Sequence, residues 1–400
     1  MPIDIHDAAR LKELQALPLD RKIAITQARI IEWFQFWEGN VYLSFSGGKD
    51  STVLLDLVIK TLKVIDPTFE LPVVFSNTGL EYPEIQKFAR SKNATFVTPK
   101  MNFVEVIKTY GYPLISKDVA SAIYYARRIK PYNENNETSR FKTSDRKQSE
   151  LLDRRIDNYN TVQTHVVQED CRRKQLLGIL GSYDDVNVKS KFNKKKWLPL
   201  AQDLPALISH KCCDVMKKSP ISIYQRATHN KPYLGTMADE SLMRRQSWIR
   251  TGCNAFEGKK PSSQPLSFWT KQDILEYIKT YNIEICSVYG DIVEQDGHLT
   301  LTGCQRTGCM WCPLGCHLEK DDYRFIKLAE THPKQYKFCI EGGEWADNPY
   351  YDPNAPEYDG EWKNWNPKRI FVPNNHGVGL GTIFEMCNEI YGKEMFKWKI

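Results

Sequence analysis

The sequence predicts an α/β fold in which a mostly parallel β-sheet is flanked by helices. Three short apolar, β-rich runs, at residues 41–45, 71–76 and 94–98, alternate with segments of helical periodicity. Strands that alternate with helices are typical of βαβ units and a parallel sheet. With 400 residues, of which 41% are hydrophobic, the chain can bury a sizeable core.

Predicted helices and strands follow one another both before and after an irregular stretch of the sequence. Apolar residues at helical spacing predict a helix over 22–38, before the first strand, and a second helix over 52–63. A third helix is expected from Pro83. After a charged, Asn-rich region, the pattern returns near Trp197, with a strand at 231–237 and a helix within 265–280.

The net charge, the apolar runs and the cysteine content limit the classes of protein to which this sequence could belong. The net charge of +6 permits a polyanionic partner without requiring one. No apolar run is long enough for a membrane span, and the N-terminal residues lack the pattern of a signal peptide, so we expect a cytoplasmic protein. In that compartment the 11 cysteines would be reduced thiols, with metal binding or redox chemistry as their notable uses.

The turn after the first strand has the residues of an anion site. It consists of Ser46, Gly47, Gly48, Lys49, Asp50 and Ser51, and it stands between a strand and a helix start. Unpaired backbone N–H groups and the helix dipole favour an anion there, and glycines allow the backbone to approach it closely. A plain turn with Asp50 or Ser51 as the helix N-cap is the alternative. The Walker pattern is absent, which excludes a P-loop NTPase.

The string S-G-G-x-D-S resembles the pyrophosphate (PP) loop of the ATP pyrophosphatases, which cleave ATP between its α- and β-phosphates and adenylate a substrate. The resemblance implies that residues 46–51 hold the phosphates with Mg²⁺ as helper, and that Lys49, Asp50 and Ser51 take part in catalysis. It also implies the adenine-nucleotide alpha-hydrolase-like (HUP) fold with a five-stranded, mostly parallel sheet.

Further motifs resemble the phosphoadenosine phosphosulfate reductases and their relatives. VVFSNTGLEYPE (73–84) is similar to their second-strand motif, with Asn77 where an aspartate is usual, and it implies Asn77, Thr78 and Gly79 as nucleotide contacts. ISHKCCDVMKKSP (208–220) and TGCMWC (307–312) are similar to the cysteine motifs of adenylyl-sulfate reductases.

The segment GTMADESLMRRQSWIR (235–250) is similar to the nucleotide-contacting arginine segment of those reductases. It implies Arg244, Arg245 and Arg250 as nucleotide ligands, with Arg245 also catalytic. Planar guanidinium groups suit phosphate or sulfate recognition. Lys217 and Lys218 are either further anion ligands or solvated helix residues. Cys253 either faces the nucleotide and carries sulfur, or is a small buried residue.

The cysteines allow two ligand sets. Cys304, Cys309, Cys312 and Cys316 lie within thirteen residues, a density typical of iron–sulfur or zinc ligation. The resemblance to the reductases implies one [4Fe–4S] cluster, held by Cys212, Cys213, Cys309 and Cys312. The alternative set replaces the tandem pair with Cys304 and Cys316, and zinc is the less favoured metal.

The order of these motifs along the sequence predicts segments with different roles. We expect 1–126 and 201–300 to form the two halves of a nucleotide-binding domain. Residues 127–200 would be a charged, mostly helical insertion, and 301–400 a cysteine-rich segment with an irregular, aromatic C-terminal cap.

Three functions remain open at this stage. The first is an ATP pyrophosphatase-type enzyme that adenylates an acceptor, with nucleic acid as one candidate, for iron–sulfur- or cysteine-dependent sulfur transfer, as in the DNA phosphorothioation sulfurtransferases. A cysteine desulfurase could supply the sulfur. The second is a sulfonucleotide reductase that binds an adenylyl sulfate and releases sulfite with thioredoxin electrons. The third is a non-catalytic nucleotide-sensing module within a larger assembly. An oligomer is possible for any of the three.

Two features favour the first function. The loop is intact, whereas sulfonucleotide reductases usually carry a degenerate one. The sulfonucleotide reductases also carry a C-terminal Glu-Cys-Gly-type motif. This sequence has no counterpart of it, because its last cysteine, Cys387, lies in FEMCNEIY.

Overall fold

The computed structural model describes residues 6–128, 171–180, 190–258 and 260–399. The chain forms two compact units, one made of 1–102 and 215–310 and the other of 103–214 and 311–400. Most of the predicted insertion at 127–200 lies outside the described residues. In the described ranges, no helix is both long and apolar enough to cross a membrane.

The described helices are numbered in chain order. They are α1 (Ala8–Gln15), α2 (Leu19–Phe36), α3 (Lys49–Ile65), α4 (Pro83–Ser91), α5 (Phe103–Tyr110), α6 (Lys117–Ala126), α7 (Leu198–Asp203), α8 (Ser219–Thr228), α9 (Leu242–Thr251), α10 (Lys271–Thr280), α11 (Arg324–Thr331), α12 (Pro333–Ile340) and α13 (Leu380–Tyr391). A further helical segment covers 171–177.

The strands are numbered in the same way. They are β1 (Val41–Phe45), β2 (Val73–Ser76), β3 (Thr95–Val97), β4 (Lys231–Leu234), β5 (Asn254–Ala255), β6 (Ser262–Ser263), β7 (Ile292–Gln295), β8 (His298–Leu301), β9 (Glu344–Asp347), β10 (Tyr358–Asp359), β11 (Trp362–Lys363) and β12 (Arg369–Val372).

The central sheet of the first unit confirms the predicted α/β fold. Its strand order is β3-β2-β1-β4-β6-β5. The first five of these strands pair in parallel, and β5 joins the edge antiparallel to β6. The sheet therefore has six strands rather than the expected five. The additional strand is only two residues long, too short for a periodic pattern to reveal it.

Strand β1 lies at the centre of this sheet, and its sequence explains why. Val41, Tyr42 and Leu43 are fully buried, as expected for a parallel strand that is covered on both faces. Helix α3 follows β1 directly and buries most of its residues, which include Val53, Leu54 and Val58. The strand, the turn and the helix thus form one rigid unit whose turn faces the carboxyl edge of the sheet.

A buried ion pair joins two helices of the same unit. Lys22 on α2 is 2% exposed, and its Nζ lies 2.7 and 2.6 Å from the two carboxylate oxygens of Asp273 on α10. Asp273 also accepts a hydrogen bond from the hydroxyl of Thr270, which is the N-cap of α10. The Asp273 carboxylate is therefore both paired with a cation and hydrogen-bonded, as the burial of a charge requires.

The second unit is organised around helices and short hairpins. The buried guanidinium of Arg127, after the end of α6, donates hydrogen bonds to the carbonyl oxygens of Leu200, Ala201, Leu204 and Ala206. Strands β9 and β12 pair antiparallel, as do β10 and β11. Helix α13 contains Cys387, and its Phe384 stacks on Phe396 with ring centroids 4.7 Å apart.

Candidate functional site: a glycine loop beside a cavity

The loop after β1 ends at the first residue of α3. Gly48 is the N-cap of this helix, and no side chain caps it. The alternative in which Asp50 or Ser51 serves as the N-cap is therefore not what the structure adopts. An α3 of 17 residues presents its N-terminal N–H groups and the positive end of its dipole at this loop.

Gly47 is required at its position for two reasons. Its φ is +68°, in the region that favours glycine. A Cβ added there would also lie 2.8 Å from Cγ2 of Ile85, at the start of α4. The loop therefore approaches its neighbour more closely than a side chain would permit.

The two serines of the loop hold its shape. The Ser51 hydroxyl donates to the carbonyl oxygen of Gly48 at 2.9 Å and lies 3.0 Å from the Ser46 hydroxyl. The N–H of Gly48 donates to that same Ser46 oxygen at 3.3 Å. Ser46 itself is exposed, whereas Ser51 is buried.

Lys49 and Asp50 place a charge pair at the helix start. Lys49 is 4% exposed, and its Nζ lies 3.1 Å from Oδ1 of Asp50. Burial raises the pKa of Asp50 above its ordinary value, the Lys49 charge opposes this shift, and the nearby carboxylate of Glu240 adds to it. Oδ1 of Asp50 is a buried oxygen that accepts no hydrogen bond.

A cavity of about 580 Å³ opens beside the loop. It lies at the carboxyl ends of β1, β2 and β4, where ligands bind in open α/β sheets. Its wall combines apolar and polar side chains with three lysines: Tyr42, Ser44, Phe45, Ser46, Phe75, Ser76, Glu81, Ile85, Lys217, Lys218, Ile221, Ser222, Gln225, Pro232, Leu234, Lys260, Pro261, Ser262, Thr307 and Gly308. The volume is in the range of small-ligand pockets.

Residues 77–81 form a hydrogen-bonded turn next to this cavity. Asn77 Oδ1 accepts from the N–H of Gly79 at 3.2 Å. The N–H and hydroxyl of Thr78 both donate to the buried carboxylate of Glu81, which lines the cavity. Lys217 lies 3.7 Å from that carboxylate. Lys217 and Lys218, two of the candidate anion ligands, are thus in the cavity wall.

Three consecutive residues, Gln305, Arg306 and Thr307, lie over the loop, and we call them the cover segment. Gln305 accepts a hydrogen bond from Lys271 Nζ at 2.7 Å. Arg306 pairs with Glu240 at 2.7 Å. The hydroxyl of Thr307 lies 2.7 Å from that of Tyr289.

Tyr289 connects the cover segment to the loop. Its Oη accepts a hydrogen bond from the N–H of Lys49 at 3.2 Å, the first N–H of α3. Burial raises the pKa of Tyr289 to about 12, so the hydroxyl keeps its proton at neutral pH. It can therefore accept from Lys49 and donate to Thr307 at the same time.

The arginines of the 235–250 segment lie on α9, and one of them is connected to the site through the carboxylate of Glu240. Arg244 pairs with Glu240, the same residue that holds Arg306. Arg244, Arg245 and Arg250 are not among the residues that line the cavity, and Arg250 is exposed. Their predicted contacts with the nucleotide remain predictions.

The candidate cysteines are divided between the two units. Cys253 is 8% exposed, and its Sγ lies 3.3 Å from the hydroxyl of Ser267 in the core of the first unit. Cys304 and Cys309 belong to the first unit; Cys212, Cys213, Cys312 and Cys316 belong to the second. Among the described residues, no group of three or more Cys, His, Asp or Glu side chains is arranged to hold a metal ion.

Sequence reasoning missed Tyr289, Lys271 and the cover segment as parts of the site. Tyr289 and Lys271 stand in no glycine- or cysteine-rich motif. In the cover segment, Gln305 and Arg306 were visible only as residues between Cys304 and Cys309, and Thr307 only as the first residue of TGCMWC.

Comparison with known proteins assigns the family. The family model of the phosphoadenosine phosphosulfate reductase domain matches residues 40–140 and 158–314, more than half of the chain. The chain belongs to this family. A solved structure of phosphoadenylyl-sulfate (PAPS) reductase from Candida auris, a phosphate complex, is similar over 73% of this chain and 97% of that chain, with 12% identity and a TM-score of 0.32. No match is found among the curated proteins.

The close approach of Gly47 gives a first prediction for this family member. Gly47→Ala should lower the free energy of unfolding by about 2 kcal/mol or more, because it combines an unfavourable φ with a contact to Ile85. It should also weaken nucleotide binding. Urea unfolding and calorimetric titration with ATP measure the two effects.

Gly297→Ala is the matched control. Gly297 has a φ of +74°, yet no atom lies within 4 Å of an added Cβ. This variant should lose about 1 kcal/mol and bind nucleotide normally. Equal destabilisation in both variants would contradict the role of the Ile85 contact.

Proposed function

We propose that this chain is an ATP pyrophosphatase-type enzyme that adenylates an acceptor for sulfur transfer. The observation that carries the proposal is the intact S-G-G-K-D-S loop, which stands at the N-terminus of α3 and opens on the 580 Å³ cavity. The family membership supports a sulfonucleotide reductase or a related PP-loop enzyme, and the loop favours the latter.

In this proposal the cavity takes the adenosine and the loop takes the phosphates. The apolar side chains of Phe45, Phe75 and Ile85 offer surface to a purine ring, and Ser46 lies at the junction of cavity and loop. The phosphate chain would then extend over the N-terminus of α3, where backbone N–H groups and the dipole stabilise negative charge.

Asp50 fits a magnesium ion bound together with the phosphates. Its Oδ1 is buried, accepts no hydrogen bond and is paired only by the charge of Lys49, and carboxylate oxygen is a preferred ligand of Mg²⁺. Proteins hold Mg²⁺ through one or two carboxylates plus substrate phosphates, so a single aspartate suffices here. The ion would neutralise charge on the phosphates.

The chain's own groups would promote attack at the α-phosphorus. A nucleophilic oxygen of the acceptor forms a bond to that phosphorus, the bond to the β-phosphate oxygen breaks, and pyrophosphate leaves. Lys49 and the N–H groups of α3 would stabilise the negative charge that develops on the leaving pyrophosphate. A sulfide-level nucleophile would then displace AMP and form the acceptor–sulfur bond.

The acceptor and the sulfur supply belong to the proposal as well. The positive net charge is compatible with a nucleic-acid acceptor. A cysteine desulfurase partner would provide persulfide sulfur, which a dithiol reduces to the sulfide level while it is itself oxidised to a disulfide. The steps above are carried by the loop residues and the substrates alone, and the iron–sulfur cluster is a separate prediction.

A sulfonucleotide reductase is the second candidate. The family match favours it, since the matched family is that of the phosphoadenosine phosphosulfate reductase domain. In that reaction an adenylyl sulfate would bind at the same loop, and electrons from a thioredoxin-like partner would release sulfite.

Product analysis with an Asp50 variant tests the proposal. Wild-type protein with ATP, Mg²⁺ and nucleic acid should release pyrophosphate, and Asp50→Asn should lower the rate by roughly 100-fold or more because it removes the charge that orients Mg²⁺. Asp20→Asn, an exposed position on α2, is the control and should retain full activity. Sulfite release from adenylyl sulfate with reduced thioredoxin, and no pyrophosphate from ATP, would favour the reductase instead.

The cysteine ligands give a separate prediction. Protein purified without oxygen should contain about four irons per chain if the cluster predicted for this family is present. Substitution of Cys304 and Cys316 by serine should leave that iron in place, whereas substitution of Cys212 and Cys213 should remove it. A colourless protein with one zinc, or iron lost from both pairs of variants, would contradict the tandem-pair assignment.

A further inference from the structure

The first unit contains a group of charges next to the loop, and two of its members, Lys271 and Arg306, lie outside every motif of the sequence analysis. It consists of Lys49 and Asp50 at the start of α3, Lys271 at the start of α10, Arg306 in the cover segment, and Glu240. Lys49 pairs with Asp50, and Arg306 pairs with Glu240.

The cations of this group influence one another. The pKa of Lys271 is lowered, first by partial burial and then by the positive charges of Lys49 and Arg306. The charge of Arg306 also acts on Asp50. Lys271 is therefore within electrostatic range of two further cations, an arrangement that a bound anion would relieve.

A hydrogen bond and an ion pair hold Lys271 and Arg306 in place but use only some of their N–H donors. Lys271 donates to Gln305, whose amide in turn donates to the carbonyl oxygen of Leu301 at 2.6 Å. An ammonium group has three donors and a guanidinium has five, so both keep hydrogens for a ligand. Arg306 is 69% exposed, so its side chain can reorient towards a ligand.

This group of charges lies outside the wall of the cavity. Neither Lys271 nor Arg306 lines the cavity, whereas Thr307, the next residue, does. A ligand with adenosine in the cavity and its phosphates along the loop would extend its far end towards Lys49, Lys271 and Arg306.

We propose that Lys49, Lys271 and Arg306 form a subsite for the terminal phosphates of a nucleoside triphosphate and thereby select ATP over an adenylyl sulfate. This inference rests on the proposed function and adds the residues that determine its substrate class. An adenylyl sulfate is shorter than ATP and carries less negative charge, so it would leave this subsite largely unused.

Calorimetric titration of the full chain tests the subsite. The ligands are ATP with Mg²⁺, AMP, adenylyl sulfate and inorganic pyrophosphate, and the variants are Arg306→Gln and Lys271→Gln. Each variant should bind ATP and pyrophosphate about tenfold or more weakly, because a charge-assisted hydrogen bond is lost. Affinity for AMP and for adenylyl sulfate should stay within about twofold of wild type.

Matched controls and contrary outcomes are available. Lys279→Gln removes an exposed lysine from the same helix as Lys271, and Arg21→Gln removes an exposed arginine from α2; neither should change any affinity. Equal losses for AMP and ATP would indicate a structural role, and an equal loss for adenylyl sulfate would indicate a sulfate site. Either result, or no loss of pyrophosphate affinity, overturns the inference.

The pyrophosphate titration separates this inference from the proposed function. If the enzyme does not cleave ATP but binds pyrophosphate in a manner sensitive to Arg306, the subsite stands and the proposed reaction fails. If ATP is cleaved to AMP and pyrophosphate while both variants bind normally, the reaction stands and the subsite fails.

Discussion

The hydroxyl of Tyr289 is the contact on which the geometry of the site depends. It accepts the first N–H of α3 and contacts Thr307, so one oxygen joins the glycine loop to the cover segment. The phenol is protonated across the physiological pH range, and burial raises its pKa further, to about 12, so the hydroxyl can donate to Thr307 while it accepts from Lys49. The loop is consequently held between Ile85 on one side and Tyr289 on the other.

The proposed site would allow one fold to serve different chemistry within the family. The parallel strands place the loop at the carboxyl edge of the sheet, and in the proposal the cavity would take an adenosine whatever the group attached to it. In the proposed function, the set of charges beyond the loop would distinguish the substrates. Asp50 with Mg²⁺ and the three cations of the proposed subsite would suit a long phosphate chain better than a single phosphosulfate.

The central part of the fold was predictable from the sequence because its determinants are local. Strand β1 was predicted at 41–45, as observed, since a parallel strand buried on both faces is a continuous apolar run. Lys271 and Arg306 were not predictable in the same way, because they reach the loop from segments more than 200 residues away. The two-residue strand β5 and the contact of Gly47 with Ile85 likewise depend on tertiary packing, which no periodic pattern records.

The most direct test is an experimental structure of the full chain with Mg²⁺ and α,β-methylene-ATP, an analogue that cannot be cleaved between its α- and β-phosphates. We expect adenosine in the cavity, the β- and γ-phosphates at the N-terminus of α3, and Asp50 facing the metal. A triphosphate that lies away from the 46–51 loop, or a loop that binds only the sulfate end of an adenylyl sulfate, would contradict the assignment of an ATP site.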